Sequence, residues 1–239
     1  VKKSEYHELT REGDLLCSAS EKVANSFNEI THQCLAISHQ VPTLDPSKTG
    51  WARRQKRQIL QSICDVLRQD RRYYAGPGDY FKATLFRVSS PDVLLLDCSH
   101  YPSGQQPNTE KMVRNPKSLA TAFHCLDRQS MQVIENIPKE LDKGAEARWV
   151  ELYPGQAKKY ASMLCTPICV GDIATKSFKV VSILTIDTNR LDYFSEQQSE
   201  MSFLGKLLAP FSSQLGFIYV LTANEVLTGK DEKNDEKRE

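Results

Sequence analysis

Several signatures are missing from this 239-residue chain, and each absence removes a class of function. Charge of one sign is missing: 31 Lys and Arg stand against 30 Asp and Glu, a formal net charge of +1. A nucleic-acid protein would normally carry a marked basic excess, so no nucleic-acid partner is expected. No unbroken apolar run reaches the roughly 18 residues that read as a membrane span, so nothing here is expected to cross a bilayer. The phosphate-cradling loop Gly-x4-Gly-Lys-Ser/Thr, the dinucleotide turn Gly-x-Gly-x-x-Gly and the zinc-protease pair His-Glu-x-x-His do not occur. Neither does the Gly-x-Ser-x-Gly nucleophile elbow. Histidine is scarce: of five, His7, His32 and His39 fall in the first forty residues, which leaves His100 and His124. Together with Cys98 and Cys125 these form one cluster with ligand chemistry, but their spacing is not that of a zinc module. No metal is therefore expected, no catalytic residue is assigned, and no cofactor is named.

What is present is ordinary globular material: 40% hydrophobic and 26% charged residues, enough chain for one large or two small domains with a real core. Seven cysteines, at 17, 34, 64, 98, 125, 165 and 169, are odd in number, irregular in spacing and mostly set in apolar runs. That usage fits buried thiols in a reducing compartment and predicts a cytoplasmic location. The chain begins at Val1, and Val1-Lys2-Lys3-Ser4-Glu5 is no signal peptide. An upstream segment, including a membrane anchor, is compatible with that start.

Three helices are expected at the ends. Leu9, Leu16, Val23, Ile30 and Ile37 recur every seven residues. This stripe suits either a dimer stalk or a long helix packed on its own domain. The linker Val41 to Gly50 contains Pro42 and Pro46, and a second helix is expected from Trp51 to Gln69. Ile59, Ile63, Val66 and Leu67 line one of its faces. Arg53, Arg54, Arg57, Arg68, Arg71 and Arg72 lie opposite, either a solvated face or a surface for headgroups, a nucleotide or an acidic partner. Phe194-Ser195-Glu196-Gln197-Gln198 opens the last helix, with Ser195 and Gln198 expected to form a capping box. One apolar stripe runs through Leu204, Leu208, Phe211, Leu215 and Ile218, and a second through Phe203, Leu207, Phe217 and Leu221. Two stripes need two surfaces to cover them. Pro210 removes a backbone donor and is expected to bend the helix. The tail from Gly229 to Glu239 is almost wholly charged and reads as disordered.

Between the helices the texture is that of strands. Tyr80 to Val88, a turn at Ser89-Ser90-Pro91-Asp92, and Val93 to Cys98 predict a hairpin. A short helix near 117–125, a strand at 131–137, an excursion from Pro138 to Pro154, and strands at 160–170 and 178–187 complete the order.

That order resembles the GAF family, and several motifs agree. Ser118-Leu119-Ala120-Thr121-Ala122-Phe123 followed by Met131-Gln132-Val133-Ile134 is similar to the family's short helix and third strand. Tyr160 to Ile168, with Ser162 ahead of an apolar-proline strand, looks like its later hairpin. Val181 to Asp187 and then Phe194 resemble the closing strand and helix; Ser182 stands where the family usually has glycine. The resemblance covers roughly residues 76–222. It implies an α/β (α+β) fold with a central antiparallel six-stranded sheet, helices packed on one face, and a ligand pocket on the other roofed by the excursion. The chain is accordingly divided into an N-terminal helical region (1–75), a sensor domain (76–222) and a charged tail (223–239).

The resemblance also implies a function: a regulatory module that binds a small ligand and relays its presence through bundled helices, as a homodimer. Cyclic-nucleotide-binding members carry an asparagine-lysine pair, a phenylalanine and then an acidic pair. This chain has Asn189-Arg190 and Phe194, but Gln198-Ser199 where the acids belong, so a cyclic nucleotide is not favoured. Bilin attachment uses Cys-His, and the dipeptide here is reversed, His124-Cys125. Free methionine sulfoxide reductases of this fold use cysteines at the pocket rim, which leaves a thiol enzyme acting through Cys98 or Cys125 as one alternative. A ligandless dimerisation scaffold is the other. Candidate ligand-binding residues are Arg114, His124, Trp149, Tyr153, Tyr160, Ser162 and Thr166. Arg114 would pair with a phosphate or carboxylate, and Trp149 and Tyr153 would stack on a planar ligand.

Overall fold

The computed structural model describes residues 9–26, 50–70, 78–101, 109–115, 120–151, 155–172 and 177–228, without the side chains of 145, 172 and 223–228. The elements are α1 (residues 9–26), α2 (Trp51–Arg68), β1 (Phe81–Ser90), β2 (Val93–His100), β3 (Lys111–Val113), α3 (Thr121–Arg128), β4 (Gln132–Ile134), α4 (Ile137–Leu141), β5 (Ser162–Asp172), β6 (Ser177–Thr188) and α5 (Gln198–Thr228). Six strands form one sheet in the order β3-β2-β1-β6-β5-β4, with antiparallel pairing throughout. This is the six-stranded antiparallel α/β architecture expected from the sequence.

Strand alternation sorts side chains into two apolar layers. Phe81, Ala83 and Leu85 of β1 and Leu184 and Ile186 of β6 join Leu15, Ala19, Ile59, Ile63, Leu204, Leu208 and Leu215 of the three long helices in one layer. The opposite face carries Phe86, Ile183, Met163 and Cys165, covered by Phe123 of α3, Ile137 of α4 and Trp149. Arg11 reaches Glu200, and Gln214 donates to the Val23 carbonyl, so α1 runs parallel to α5. Lys56 lies over Tyr219 while Tyr193 reaches the Leu67 carbonyl, so α2 runs antiparallel to α5.

The described part of α1 packs on this core through Arg11, Leu15 and Ala19, four residues apart, rather than through the heptad stripe: Leu9 is exposed, and Leu16 and Val23 only flank the contact. Ile30 and Ile37 lie outside the described residues. On α5 the first apolar stripe is buried from Leu204 to Ile218, whereas the second divides. Phe203 and Leu207 are buried, and Phe217, Val220 and Leu221 are exposed. No unbroken apolar run of bilayer-spanning length exists, but one helix passes a looser test. The stretch Gln198–Thr222 meets that test by length and composition, yet half of its apolar window is buried in the core.

The capping box is also displaced. The helix opens at Gln198, and Ser195 Oγ accepts from Gln197 N at 3.2 Å and donates to Glu135 at 3.0 Å instead of capping the first turn. Pro210 lies inside α5 as expected.

Candidate functional site

β1 and β6 pair so that Lys82 faces Asp187, Thr84 faces Thr185 and Phe86 faces Ile183. All six project away from the helical bundle, because their odd-even neighbours fill its core. An ion pair is thus built into the middle of the sheet: Lys82 Nζ lies 3.5 Å from Asp187 Oδ2, with both side chains about nine-tenths buried. Lys82 also donates to the Tyr160 hydroxyl at 2.9 Å and sits 4.7 Å and 4.6 Å from the ring centres of Tyr101 and Tyr160. Burial opposes the lysine charge, but Asp187 and the two phenols outweigh it and hold its pKa above the ordinary lysine value. Burial pushes the Asp187 carboxyl upward, against the pull of Lys82. The buried hydroxyls of Tyr101 and Thr84 complete no well-formed hydrogen bond among the described residues.

This polar end opens into a cavity of about 60 Å³. Phe86, Met112, Ala122, Met163 and Trp149 form its apolar walls, with Thr185 beside the ion pair. Trp149, 5% exposed, is the roof. Its position is fixed on both sides of Arg148: Thr121 Oγ1 donates to the Arg148 carbonyl at 2.6 Å, and Glu140 accepts from the Arg148 backbone N–H at 2.7 Å. The Arg148 guanidinium bridges Glu140 at 3.4 Å and Glu196 at 2.5 Å. Burial opposes ionisation of Glu140, yet the Arg148 N–H together with Lys143 and the Arg148 side chain brings its pKa down to about 2.

Two further ionic clusters lie on the bundle side. The β1–β2 register slips where Leu85 faces Cys98 but Phe86 faces Leu96, so Asp97 is the extra residue of a β-bulge. The bulge turns Asp97 towards the helices. There it accepts from Lys56 of α2 at 2.6 Å and from the Tyr219 hydroxyl of α5. Beyond it, Arg11 of α1 meets Asp70 at 2.9 Å and Glu200 at 3.3 Å, and Tyr193 donates to Asp70 at 3.1 Å. Each long helix is tied to the others or to the sheet by a buried charge.

Of the seven residues proposed from sequence, the structure brings Trp149 to the cavity wall and Tyr160 to Lys82 at its polar end. Arg114 lies elsewhere: it forks onto Asp127 at 2.7 and 2.8 Å, meets Asp92 at 3.0 Å, donates to the Pro91 carbonyl and covers the Phe123 ring. It latches the β1–β2 turn to α3. His124, on α3, is half-buried outside the cavity lining, and burial with Arg128 lowers its pKa. Ser162 is fully buried, donating to the Ile134 carbonyl at 3.0 Å and accepting from Phe194 N at 3.2 Å. Thr166 lines an open groove of about 310 Å³ between β5 and α5 on the other side of the sheet. Tyr153 lies outside the described residues. Sequence reasoning missed Lys82, Asp187 and Tyr101. The readable signal was a lysine between Phe81 and Ala83 and an aspartate directly after Ile186.

The cysteines considered for catalysis are poorly placed for it. Cys98 lies in the bundle layer and Cys125 in the opposite layer, so the sheet separates them. Burial pushes the Cys98 thiol up to about 12 and raises that of Cys125 as well, which suppresses the thiolate a redox step needs. Among the described residues no group of three or more His, Cys, Asp and Glu could hold a metal ion. Asn189 and Arg190 serve the β1 start: Asn189 accepts from Tyr80 N at 3.0 Å and donates to the Gly78 carbonyl at 2.9 Å, and Arg190 pairs with Asp79 at 3.1 Å.

No protein-family model and no curated protein matches the sequence. Solved structures do. The GAF domain of an Acinetobacter phosphoenolpyruvate-protein phosphotransferase superposes with a TM-score of 0.50 at 15% identity, covering 88% of this chain and 96% of that one. A putative GAF sensor protein from Burkholderia vietnamiensis gives 0.45 at 11% identity, covering 86% and 98%. A type II free methionine-R-sulfoxide reductase from Thermoplasma acidophilum gives 0.41 at 13%, covering 68% and 95%. At such identities the likeness speaks for architecture, and it agrees with the strand order and the helical layer described above: this chain has a GAF-like fold.

Proposed function

We propose that this chain is a regulatory sensor module that holds a small ligand in the cavity over Lys82 and Asp187 and relays its presence to α1, α2 and α5. The observation that carries the reading is the shared use of β1 and β6. Their even-odd alternation lines the cavity on one face and seats the helices on the other, so a shift of either strand is felt on both sides. The Asp97 bulge extends the link, since Asp97 grips α2 and α5 four residues before Tyr101 at the cavity. The module acts as a homodimer in the cytoplasm. Exposed Phe217, Val220 and Leu221 on α5 and the absence of disulfides among the described cysteines support those two assignments. Catalysis through Cys98 or Cys125 is not favoured, because neither thiol is accessible or ionised.

The cavity size supports a second reading. About 60 Å³ is small beside the roughly 300–1,000 Å³ of drug-sized sites, as a scaffold with a filled pocket would show. Native mass spectrometry on protein from its natural host, before and after denaturation, separates the two. The sensor reading expects a released molecule of defined mass that is lost in the Ala122→Phe variant, whose ring would fill the cavity. A dimer empty in both forms supports the scaffold instead.

A further inference from the structure

From the sensor reading, on which this rests, we infer that the cavity ligand is a small zwitterion carrying an ammonium and a carboxylate, of the size of a small apolar α-amino acid. Lys82 and Asp187 both line the cavity and together carry no net charge. A singly charged ligand would leave one net charge buried in a low-dielectric site, whereas a zwitterion keeps the sum at zero. The resident pair also invites insertion. At 3.5 Å its contact is long for a charge-assisted bond, which prefers about 2.7–2.9 Å. Asp187 has acceptor capacity for an ammonium group, with Lys82 as its one ionic contact among the described residues.

The donors for the other end are already gathered. Lys82 Nζ and the Tyr101 and Thr84 hydroxyls stand together, and the two hydroxyls are buried without a well-formed hydrogen bond among the described residues. Such groups are costly to leave unpaired, and a carboxylate in the cavity accepts from Lys82 and Tyr101, which line it, with Thr84 behind Tyr101. Beyond the polar end, Phe86, Met112 and Trp149 present apolar surface to whatever the zwitterion carries. The volume sets the size. A water needs about 10–15 Å³ of such space, so about 60 Å³ admits a molecule of a few such units, as a small amino acid is.

The test uses the full chain, unfolded and refolded free of small molecules, in calorimetric titrations. Glycine, L-alanine and L-valine are compared with N-acetyl-L-alanine, which lacks the ammonium, and L-alanine methyl ester, which lacks the carboxylate. At least one amino acid should bind saturably, and both blocked forms should bind about tenfold more weakly or worse. Asp187→Asn should abolish the preference over the N-acetyl form. The charge-balanced Lys82→Met/Asp187→Leu variant, expected to fold, should bind none of them. No saturable binding of any amino acid at about 10 mM overturns the inference, as does equal binding of the blocked forms. If a blocked form binds equally and Ala122→Phe abolishes it, the zwitterion fails while the sensor reading stands. If nothing binds and native spectrometry finds no ligand either, both fail.

Discussion

Replacing Lys82 with methionine keeps the length and packing of the side chain and removes its charge. Asp187 would then be a buried carboxylate whose one ionic partner among the described residues is gone. Breaking a buried pair from one side costs about 3–5 kcal/mol, mostly the desolvation of the charge left behind. Both side chains are about 10% exposed, so solvent screening offers little relief. For a chain of this size, with a urea slope of about 2–3 kcal/mol/M, the unfolding midpoint should fall by about 1–2 M. Lys82→Met/Asp187→Leu, with no charge left to strand, should cost under about 2 kcal/mol, so the two sites couple by at least about 2 kcal/mol. The pH dependence supplies a sign. The stranded carboxyl has a folded-state pKa raised above its unfolded value, so it binds more protons when folded. Lys82→Met should therefore approach the wild type as pH falls from 8 to 5 and separate from it as pH rises. A single-variant loss below about 1 kcal/mol, or a double variant that loses the sum of the two singles, would refute the buried-pair account.

The other clusters give further expectations. Tyr219→Phe removes one hydrogen bond to the Asp97 carboxylate and should cost about 1.5–3 kcal/mol in urea unfolding, with the fold retained by circular dichroism. Arg11→Met takes a buried guanidinium away from Asp70 and Glu200, while Tyr193 still donates to Asp70, and should cost about 1.5–3 kcal/mol, together with faster hydrogen exchange in α1. Glu140, at about 2 against 4.5 for an ordinary glutamate, contributes up to about 3 kcal/mol that is present above pH 4.5 and lost as pH falls towards 2. Glu140→Gln should lower stability at neutral pH and flatten the acid limb of the stability curve. Cys64, Cys98, Cys125 and Cys165 are buried and should react with a thiol reagent only on unfolding, while exposed Cys17 reacts in the native state, as mass mapping would show.

Much of the fold was legible because local signals and tertiary structure agree. The β1–β2 hairpin is marked by Pro91-Asp92 between two runs of strand formers, and β5 and β6 are long enough for their composition to speak. β3 was missed: three residues, Lys111–Val113, are held as a strand by pairing with β2 rather than by their own preference. The heptad on α1 suggested its contact face, yet a buried ion pair at Arg11 draws the helix onto a different stripe. The site was less legible. Lys82 and Asp187 lie 105 positions apart and meet only through the β1–β6 register, which no local pattern fixes. Thr166 could have been set aside by parity, since it shares a face with Leu164 and Ile168, which fill the bundle layer. Arg114 offered no such clue, because the carboxylates that claim it are brought together by folding.

The coupling of cavity to helices is tested most directly by hydrogen exchange on protein from its natural host, as isolated with its ligand and again after that ligand is removed by unfolding and refolding. Ligand is expected to slow exchange in β1 and β6 at the cavity and also in α2 and α5 around Lys56 and Tyr219, across the sheet. Protection confined to the cavity face, with α2 and α5 unchanged, would contradict it.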